Sequence, residues 1–379
     1  MTRSPGRVRT YVKTERVSYG QRVASSFEKL LIGVLLFLAS FGLLFWNEMR
    51  VDLSQVAETA IAISAIGAPE ADINDFVSIT SNVTTQETLG DGLFLAPGNY
   101  VGLRRRSEMY AWEEDSQTDT TTHADGSETR RTTYTYRESW QEDPENSSNF
   151  ERSREYHNPP KAISSETFHV NSASLGSYRL NFAGLTFPTP SGVPLNAGNL
   201  LPNTQAQPTG RYLFIGEGSL QNPAIGDLRI RYEALSNGTQ ATVLAALGIE
   251  NTLKPHRGPR NVSIYRLFTG TREEAIATLV REHTIMTWSL RATGVFLMWM
   301  GMMLALEPLN VIVSIVPFLG NLIESATEAV TLLVALGLSG LTILTANILQ
   351  NPIVLFLALG LGGFVVYRQL KQRRQPSIS

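Results

Sequence analysis

The chain has 379 residues, and its 32 basic and 34 acidic side chains leave a formal net charge of −2, so no global basic field points to nucleic acid. It contains no cysteine, which excludes disulfides, thiolate metal sites and cysteine nucleophiles together. A mean hydropathy of −0.04 with 17% charged residues averages two unlike kinds of sequence, apolar runs near both ends and a polar centre.

Residues 1–29 form a basic tail carrying Arg3, Arg7, Arg9, Lys13, Arg16, Arg22 and Lys29. Residues 30–46 follow without a charge, interrupted only by Gly33, Ser40 and Gly42, and read as a first transmembrane helix. The run starts late and ends in Trp46-Asn47-Glu48-Met49-Arg50, not a small-x-small site, so it is expected to be a retained anchor and not a cleaved leader. Val51 to Ala65 is helix-prone and is expected to continue the span outward.

Residues 51–287 turn to strand patterns. Phe76–Ile79 and Tyr100–Leu103 are short β-like runs bounded by Gly, Pro and Asn. Glu108–Trp112 and Tyr134–Trp140 flank Asp125-Gly126 and predict a long hairpin arm with a solvated tip. Its register is open: Trp112 falls opposite Ser139 with a two-residue turn, or opposite Trp140 with one bulged residue. Leu228–Tyr232, the turn Asn237-Gly238 and Thr242–Leu244 predict a second hairpin. Pro188 to Pro208 reads as a loop. After a strand over Ser263–Phe268, Thr271 and Glu274 have capping-box spacing, and no Pro or Gly intervenes before Arg291. One helix is therefore expected from Thr271 into the second span.

That span covers residues 288–306, and Glu307-Pro308 is expected to end it. Residues 309–323 predict an interfacial amphipathic segment. Residues 326–349 and 352–367 read as the third and fourth spans, and 368–379 as a second basic tail. The fold class is an α+β membrane protein: four transmembrane helices, with a β-rich extramembrane domain inserted between the first two. Lysine and arginine placement puts both termini in the cytoplasm and the central domain on the periplasmic, extracellular or lumenal side.

Catalytic vocabulary is sparse. The five histidines are far apart, no nucleophile elbow, Walker loop or dinucleotide fingerprint occurs, and no metal or cofactor is expected. Arg104, Arg105 and Arg106 form a basic triplet beside Tyr110 and Trp112. It is read as pairing with Glu113, Glu114 and Asp115, as holding lipid headgroups, or as finishing a strand. Trp140 is the matching aromatic across the arm. Ala335, Ser339, Thr342 and Ala346 make a small-residue stripe, and Ala358 and Gly362 repeat its step in the fourth span. Such stripes let helices approach closely, within one chain or between copies. Asn47, Glu48, Arg291, Glu328 and Asn347 sit at span borders, where polar groups commonly snorkel or cap. No span has a charge at its centre, which argues against a coupled transporter. These features predict a non-enzymatic, self-associating membrane scaffold whose partners are lipids, membrane or lumenal proteins and further copies. The alternative is an oligomeric channel with Glu307, Glu324 and Glu328 at its mouth.

Several segments resemble the transmembrane protein 43 family. They are Phe45–Arg50, where the family has Asn-Glu-Gly-Arg and this chain has Met49 in place of glycine, Leu103–Trp112, Asn149–Asn158-Pro159, Ile225–Arg229 and Thr287-Trp288-Ser289-Leu290-Arg291-Ala292. The resemblance implies a four-span protein with a large lumenal domain, placed in animals in the endoplasmic reticulum and inner nuclear membrane. It also implies that the protein organises complexes, including lamina and emerin assemblies, and self-associates. It supplies no catalytic residue.

Overall fold

The computed structural model describes residues 8–67, 71–123, 125–202, 206–313 and 320–350, with side chains except at 313 and 320–325. Strand β1 (Arg9–Val17) leads into helix α1 (Tyr19–Glu48) and the short α2 (Leu53–Glu58). The next strands are β2 (Ile61–Ala62), β3 (Phe76–Thr84), β4 (Tyr100–Thr122), β5 (Glu128–Gln141) and β6 (Glu166–His169). After them come β7 (Ala173–Leu175), β8 (Tyr178–Leu180), β9 (Ser191–Gly192), β10 (Gln207–Thr209) and β11 (Tyr212–Ile215). Strands β12 (Leu228–Ser236), β13 (Gln240–Leu247), β14 (Leu253–Lys254), β15 (His256–Arg257), β16 (Ser263–Ile264) and β17 (Arg266–Thr269) follow. The described chain closes with the long helices α3 (Arg272–Val313) and α4 (Gly320–Gln350). These elements fall into two compact units.

The first unit comprises Met1–Lys13, Asp52–Asp119 and Arg131–Arg281, and is β-rich. One sheet is ordered β1-β5-β4-β12-β11-β10, with β6 added to β4 and β9 to β12. The other is ordered β14-β13-β3-β7-β8, with β17 on β13 and β2 on β3. Val77, Ile79, Val243 and Ala245 from the second sheet pack with Val101 and Leu235 from the first in one buried cluster. Leu103, Leu213, Ile230 and Tyr232 form a second cluster on the first sheet.

The turn at Asn237-Gly238 differs from the expected hairpin. Its two strands join different sheets, β12 against β4 and β13 against β3. Gly238 takes a left-handed φ of 84°, and the Asn237 amide bridges both backbone groups of Thr85. The physical reason lies in β13, whose Ala241–Leu247 is buried without interruption. A strand buried on both faces belongs inside a sheet, whereas one arm of a half-wet hairpin would alternate.

Strand β4 is mostly buried up to Trp112 and then exposed, which makes its second half the expected arm. Across the arm, Thr118 and Thr132 share a hydroxyl hydrogen bond of 2.9 Å. Trp140 packs its ring on Tyr110, while Trp112 packs edge-on to Tyr156.

Within residues 1–29, read from the sequence as a basic tail, the described part from residue 8 on forms regular structure. Arg9–Val17 is the edge strand β1, paired to β5, and α1 begins at Tyr19. The tail sequence alternates, with Tyr11 and Lys13 partly covered between exposed neighbours, so it serves as a strand despite its charge. Val51–Ala65, expected to continue the span, is helical only over α2, after a break. α1 stops at Glu48, and the Asp52 carboxylate caps a fresh helix by accepting from the Ser54 N–H at 2.9 Å.

The second unit comprises Thr14–Val51, Thr120–Arg130 and Glu282–Ser379. Among the described residues, three helical stretches are long and apolar enough to cross a membrane: Tyr19–Glu58, Arg272–Ile312 and Ala326–Gln350. Helix α1 starts with a full capping box, Ser18 and Gln21 exchanging side-chain and backbone bonds. At the head of α3, Glu274 accepts from the Thr271 N–H at 2.9 Å and the Glu274 N–H donates to the Thr271 hydroxyl. Pro308 does not end α3, which continues to Val313. A proline inside a helix removes one hydrogen bond, and apolar helices in bundles tolerate it because neighbours re-satisfy the freed groups. The expected separate segment at 309–323 is therefore divided between the end of α3 and the start of α4, with 314–319 outside the described residues. The fourth expected span at 352–367, with Ala358 and Gly362, and the tail at 368–379 also lie outside them.

Candidate functional site

Helices α1 and α3 approach at glycines. A Cβ built on Gly33 would lie 2.4 Å from the Ala305 nitrogen and 2.6 Å from the Gly301 oxygen. A Cβ on Gly301 would lie 2.6 Å from the Phe37 nitrogen, so the backbones touch where only hydrogen fits. Ser40 is buried and its hydroxyl returns to the Phe37 carbonyl at 2.6 Å. From α4, the stripe residues Ala335, Ser339 and Ala346 are buried, with Ser339 Oγ 3.4 Å from the sulfur of Met298 in α3. These three stripe residues thus face helices of the same chain.

A polar cluster closes this bundle at one end. The Glu48 carboxylate receives two bonds of 2.8 Å from Arg291 Nε and Nη2, a forked geometry that a lysine would not reproduce. From α4, Asn347 Nδ2 donates to the same carboxylate at 3.2 Å, and the Gln350 amide donates to the Glu48 carbonyl. Asn47 Nδ2 donates to the Thr287 carbonyl at 3.1 Å, and Arg50 Nη2 lies 3.4 Å from the Thr287 hydroxyl. The Glu48 side chain is 4% exposed and that of Arg291 24%. The Arg291 guanidinium lies 4.9 Å from the ring centroid of Trp288, which is itself 63% exposed, and Arg50 lies over Trp46. Tryptophan beside arginine at helix ends is the pattern of a membrane–water interface.

A second polar contact sits farther along the pair, where Lys29 Nζ reaches Glu307 Oε1 at 2.5 Å. Lys29 precedes Glu48 by 19 residues, and at 1.5 Å per residue the two polar levels are about 28 Å apart along α1. That distance matches a hydrocarbon core of roughly 30 Å. Between them the outward side chains are apolar, among them Leu31, Leu35 and Leu38.

Glu307 is paired with Lys29, and the Glu328 carbonyl accepts from Trp299 Nε1 at 3.3 Å. Glu324 lies in α4, and its side chain is outside the described residues.

In the β-rich unit, strand alternation splits the arginine triplet. Arg105 turns inward and is 3% exposed. Its Nη1 reaches Asp91 Oδ2 at 3.0 Å and its Nη2 reaches Glu166 Oε2 at 2.9 Å. Asp91 Oδ1 also accepts from the N–H groups of Leu93, Phe94 and Leu95, and Oδ2 from the Tyr232 hydroxyl at 2.6 Å. Burial alone would raise the Asp91 pKa, but the bonds from Tyr232, Phe94, Leu95 and Arg105 outweigh it and hold the carboxyl below its ordinary value. The Tyr232 hydroxyl is pushed up by burial and by Asp91. Arg104 and Arg106 turn to the other face, where both meet Glu142 and Arg106 also meets Glu233. The triplet is thus neutralised by Asp91, Glu142, Glu166 and Glu233, and the ion pairs involve none of Glu113, Glu114 or Asp115. It does not form an unpaired basic patch for lipid.

Tyr110 is buried, donates to Glu138 at 3.3 Å, and its pKa is pushed up to about 12 by burial and that carboxylate. Arg229 lies between the rings of Trp140 and Tyr212, at 4.7 and 4.9 Å, while bonding Glu108. Among the described residues, no group of three or more His, Asp and Glu side chains is placed to hold a metal.

Sequence reasoning named Asn47, Glu48, Arg291 and Asn347 as separate border residues and missed that they form one cluster. It also read Gly33 only as an interruption. The signal for the cluster was present in the two segments that carried the resemblance, Asn47–Arg50 and Thr287–Arg291, which now stand in contact. The departure at Met49 is also explained. This C-cap residue has φ −78° and ψ −3°, an ordinary right-handed conformation that needs no glycine.

Comparison with known proteins finds relatives along most of the chain. Transmembrane protein 43 of Homo sapiens is 26% identical over 376 residues, covering 93% of each chain. The mouse protein of the same name is 26% identical over 352 residues, 88% of this chain and 87% of its own. A Drosophila melanogaster homolog is 26% identical over 369 residues, 89% of this chain and 93% of its own. No solved structure matches the chain. The sequence model described as Transmembrane protein 43 matches residues 109–352, from the buried half of β4 to the end of α4, and the chain is an integral membrane protein belonging to the transmembrane protein 43 family.

Proposed function

We propose that the protein is a non-enzymatic membrane scaffold that holds other membrane or lumenal proteins, and further copies of itself, at a bilayer. The observation that carries this reading is the Glu48–Arg291–Asn347 cluster with the Gly33–Gly301 contact. Together they fasten α1, α3 and α4 into a solid bundle whose remaining surface is apolar and free to meet lipid or other helices. The β-rich unit supports the same reading. Its buried charges Asp91 and Arg105 are engaged in holding loops and strands together, a use of carboxylate and guanidinium that builds a rigid platform. Residence in the endoplasmic reticulum or inner nuclear membrane is proposed only by family membership.

The channel alternative draws less support, because Glu307 is neutralised by Lys29. The test is crosslinking in native membranes followed by identification of the attached proteins, run beside ion flux in reconstituted vesicles. A reproducible set of attached proteins or self-linked copies without flux supports the scaffold. Flux that changes on Glu328→Gln overturns it in favour of a pore.

A further inference from the structure

We propose that Arg50, held by Thr287 and the Trp46 ring, receives the phosphate of a membrane phospholipid at the end of the bundle where Glu48 meets Arg291. The proposal rests on the chain's place in a bilayer and not on the scaffold reading, whose failure it survives.

Two guanidiniums and one carboxylate meet at this level. Arg291 takes Glu48 through two bonds of 2.8 Å, and that pair is complete. Arg50 has only neutral company. Its Nη2 lies 3.4 Å from the Thr287 hydroxyl, and its guanidinium lies 6.0 Å from the centroid of the Trp46 ring. Among the described residues its buried Nε has no hydrogen-bond partner, and no carboxylate forms an ion pair with it. At the other polar level Lys29 does have its carboxylate, Glu307. The sequence after Gln350, whose amide meets the Glu48 carbonyl, contains no Asp or Glu from 351 to 379 and so brings no side-chain counter-ion. A positive charge and a donor are left over at one place.

That place is at headgroup depth. Arg50 stands two residues beyond Glu48. Trp46 is 56% exposed, and Trp288, next to Thr287, is 63% exposed. Tryptophans at helix ends sit at the level of the lipid headgroups, where phosphate is the abundant anion. A guanidinium binds phosphate through two parallel N–H groups, as Arg291 binds Glu48 here, and the Nε–Nη2 edge of Arg50 offers the same fork. The residue that positions Arg50 is itself fixed: Asn47, 2% exposed, donates to the Thr287 carbonyl at 3.1 Å and ties α3 to α1. Arg50 is partly exposed, so a small swing of its stem turns the fork toward the headgroup layer.

The full chain in a neutral detergent is titrated with dioleoyl phosphatidylglycerol, with dioleoylglycerol, which lacks the phosphate, and with soluble glycerol phosphate. Native mass spectrometry reads the affinity of the first bound copy. The phospholipid is expected to bind and the other two are not. Arg50→Gln is expected to weaken that binding about tenfold or more, and Arg50→Lys less, because it keeps the charge. Equal binding of dioleoylglycerol, or unchanged phospholipid affinity in Arg50→Gln, overturns the proposal. Glycerol phosphate binding as tightly as the phospholipid overturns the lipid as the source of the phosphate. Because a change beside Glu48 can loosen the bundle, the unmodified protein in membranes is also irradiated with a phospholipid carrying a headgroup diazirine. Crosslinks within residues 46–50 or 287–291 are expected by peptide mass spectrometry, and crosslinks confined to other segments overturn the proposal.

Discussion

Removing the two partners of the Glu48–Arg291 pair is expected to have unequal costs. Arg291→Ala leaves the Glu48 carboxylate, 4% exposed, with only the neutral amides of Asn47 and Asn347. Leaving one charge of a buried pair without its partner costs about 3–5 kcal/mol. Glu48→Ala instead leaves an arginine that is 24% exposed and already lies against the exposed Trp288 ring. Its long stem can carry the guanidinium to the interface, so the cost falls toward the roughly 1.5–3 kcal/mol of a hydrogen bond to a charged group. Replacing both by methionine removes charge and desolvation together and is expected to lie within about 2 kcal/mol of the starting protein. Asn47 keeps the Thr287 carbonyl and Asn347 the Ile343 carbonyl in that variant. The assay is thermal unfolding of the full chain in detergent, at about 2–4 °C per kcal/mol for a domain of 150–250 residues. The expected order is Arg291→Ala lowest, then Glu48→Ala, then the double methionine variant. Equal single effects that add in the double variant would refute the pairing.

Further expectations concern packing and pH. Gly301→Leu should unfold or separate the bundle by driving carbon into the Phe37 and Gly33 backbone, whereas Gly42→Ala meets nothing within 4 Å and should stabilise α1 by about 0.5–1 kcal/mol; melting of both variants checks this. Tyr232→Phe deletes a buried donor to Asp91 and should cost about 1–3 kcal/mol, read as a drop in melting temperature at pH 7. Asp91 is held below its ordinary value of 3.8, so its contribution is fully present above that pH and is lost as pH falls through the lower folded value. Asp91→Asn should therefore destabilise the protein at neutral pH and flatten the acid limb of its stability profile; a wild-type acid limb in the variant would show that other carboxylates carry it.

The elements that local pattern determines were legible. The apolar runs 30–46 and 326–349, the capping pair Thr271–Glu274 and the strands opening at Phe76 and Tyr100 depend on nearest neighbours along the chain; the runs lie within the longer helices α1 and α4, and the capping pair and strands stand where the sequence puts them. The misread features all depend on remote partners. Asn237-Gly238 has the composition of a hairpin turn, and only the uninterrupted burial of β13 makes it a corner between sheets. Arg104, Arg105 and Arg106 read as one patch until strand alternation sends the middle one to Asp91. Pro308 reads as a stop because its cost is calculated for a solvated helix, yet α3 continues past it.

The N-terminal segment shows most clearly why charge count and structure diverge. A topology rule weighs lysines and arginines as if each faced solvent, because the sequence gives no means of knowing which are paired. Lys13, Arg16 and Arg22 meet carboxylates more than a hundred residues away, and the alternation that makes Arg9–Val17 a strand is too short and too charged to stand out. Once those partners are known, each of these charges counts first as a contact of β1 or of the head of α1. Glu151→Lys should therefore loosen β1 by setting like charges at the Lys13 contact, and limited proteolysis after Lys13 or Arg16 is expected to speed up. Unchanged cleavage would mean that the strand is not held by its side chains.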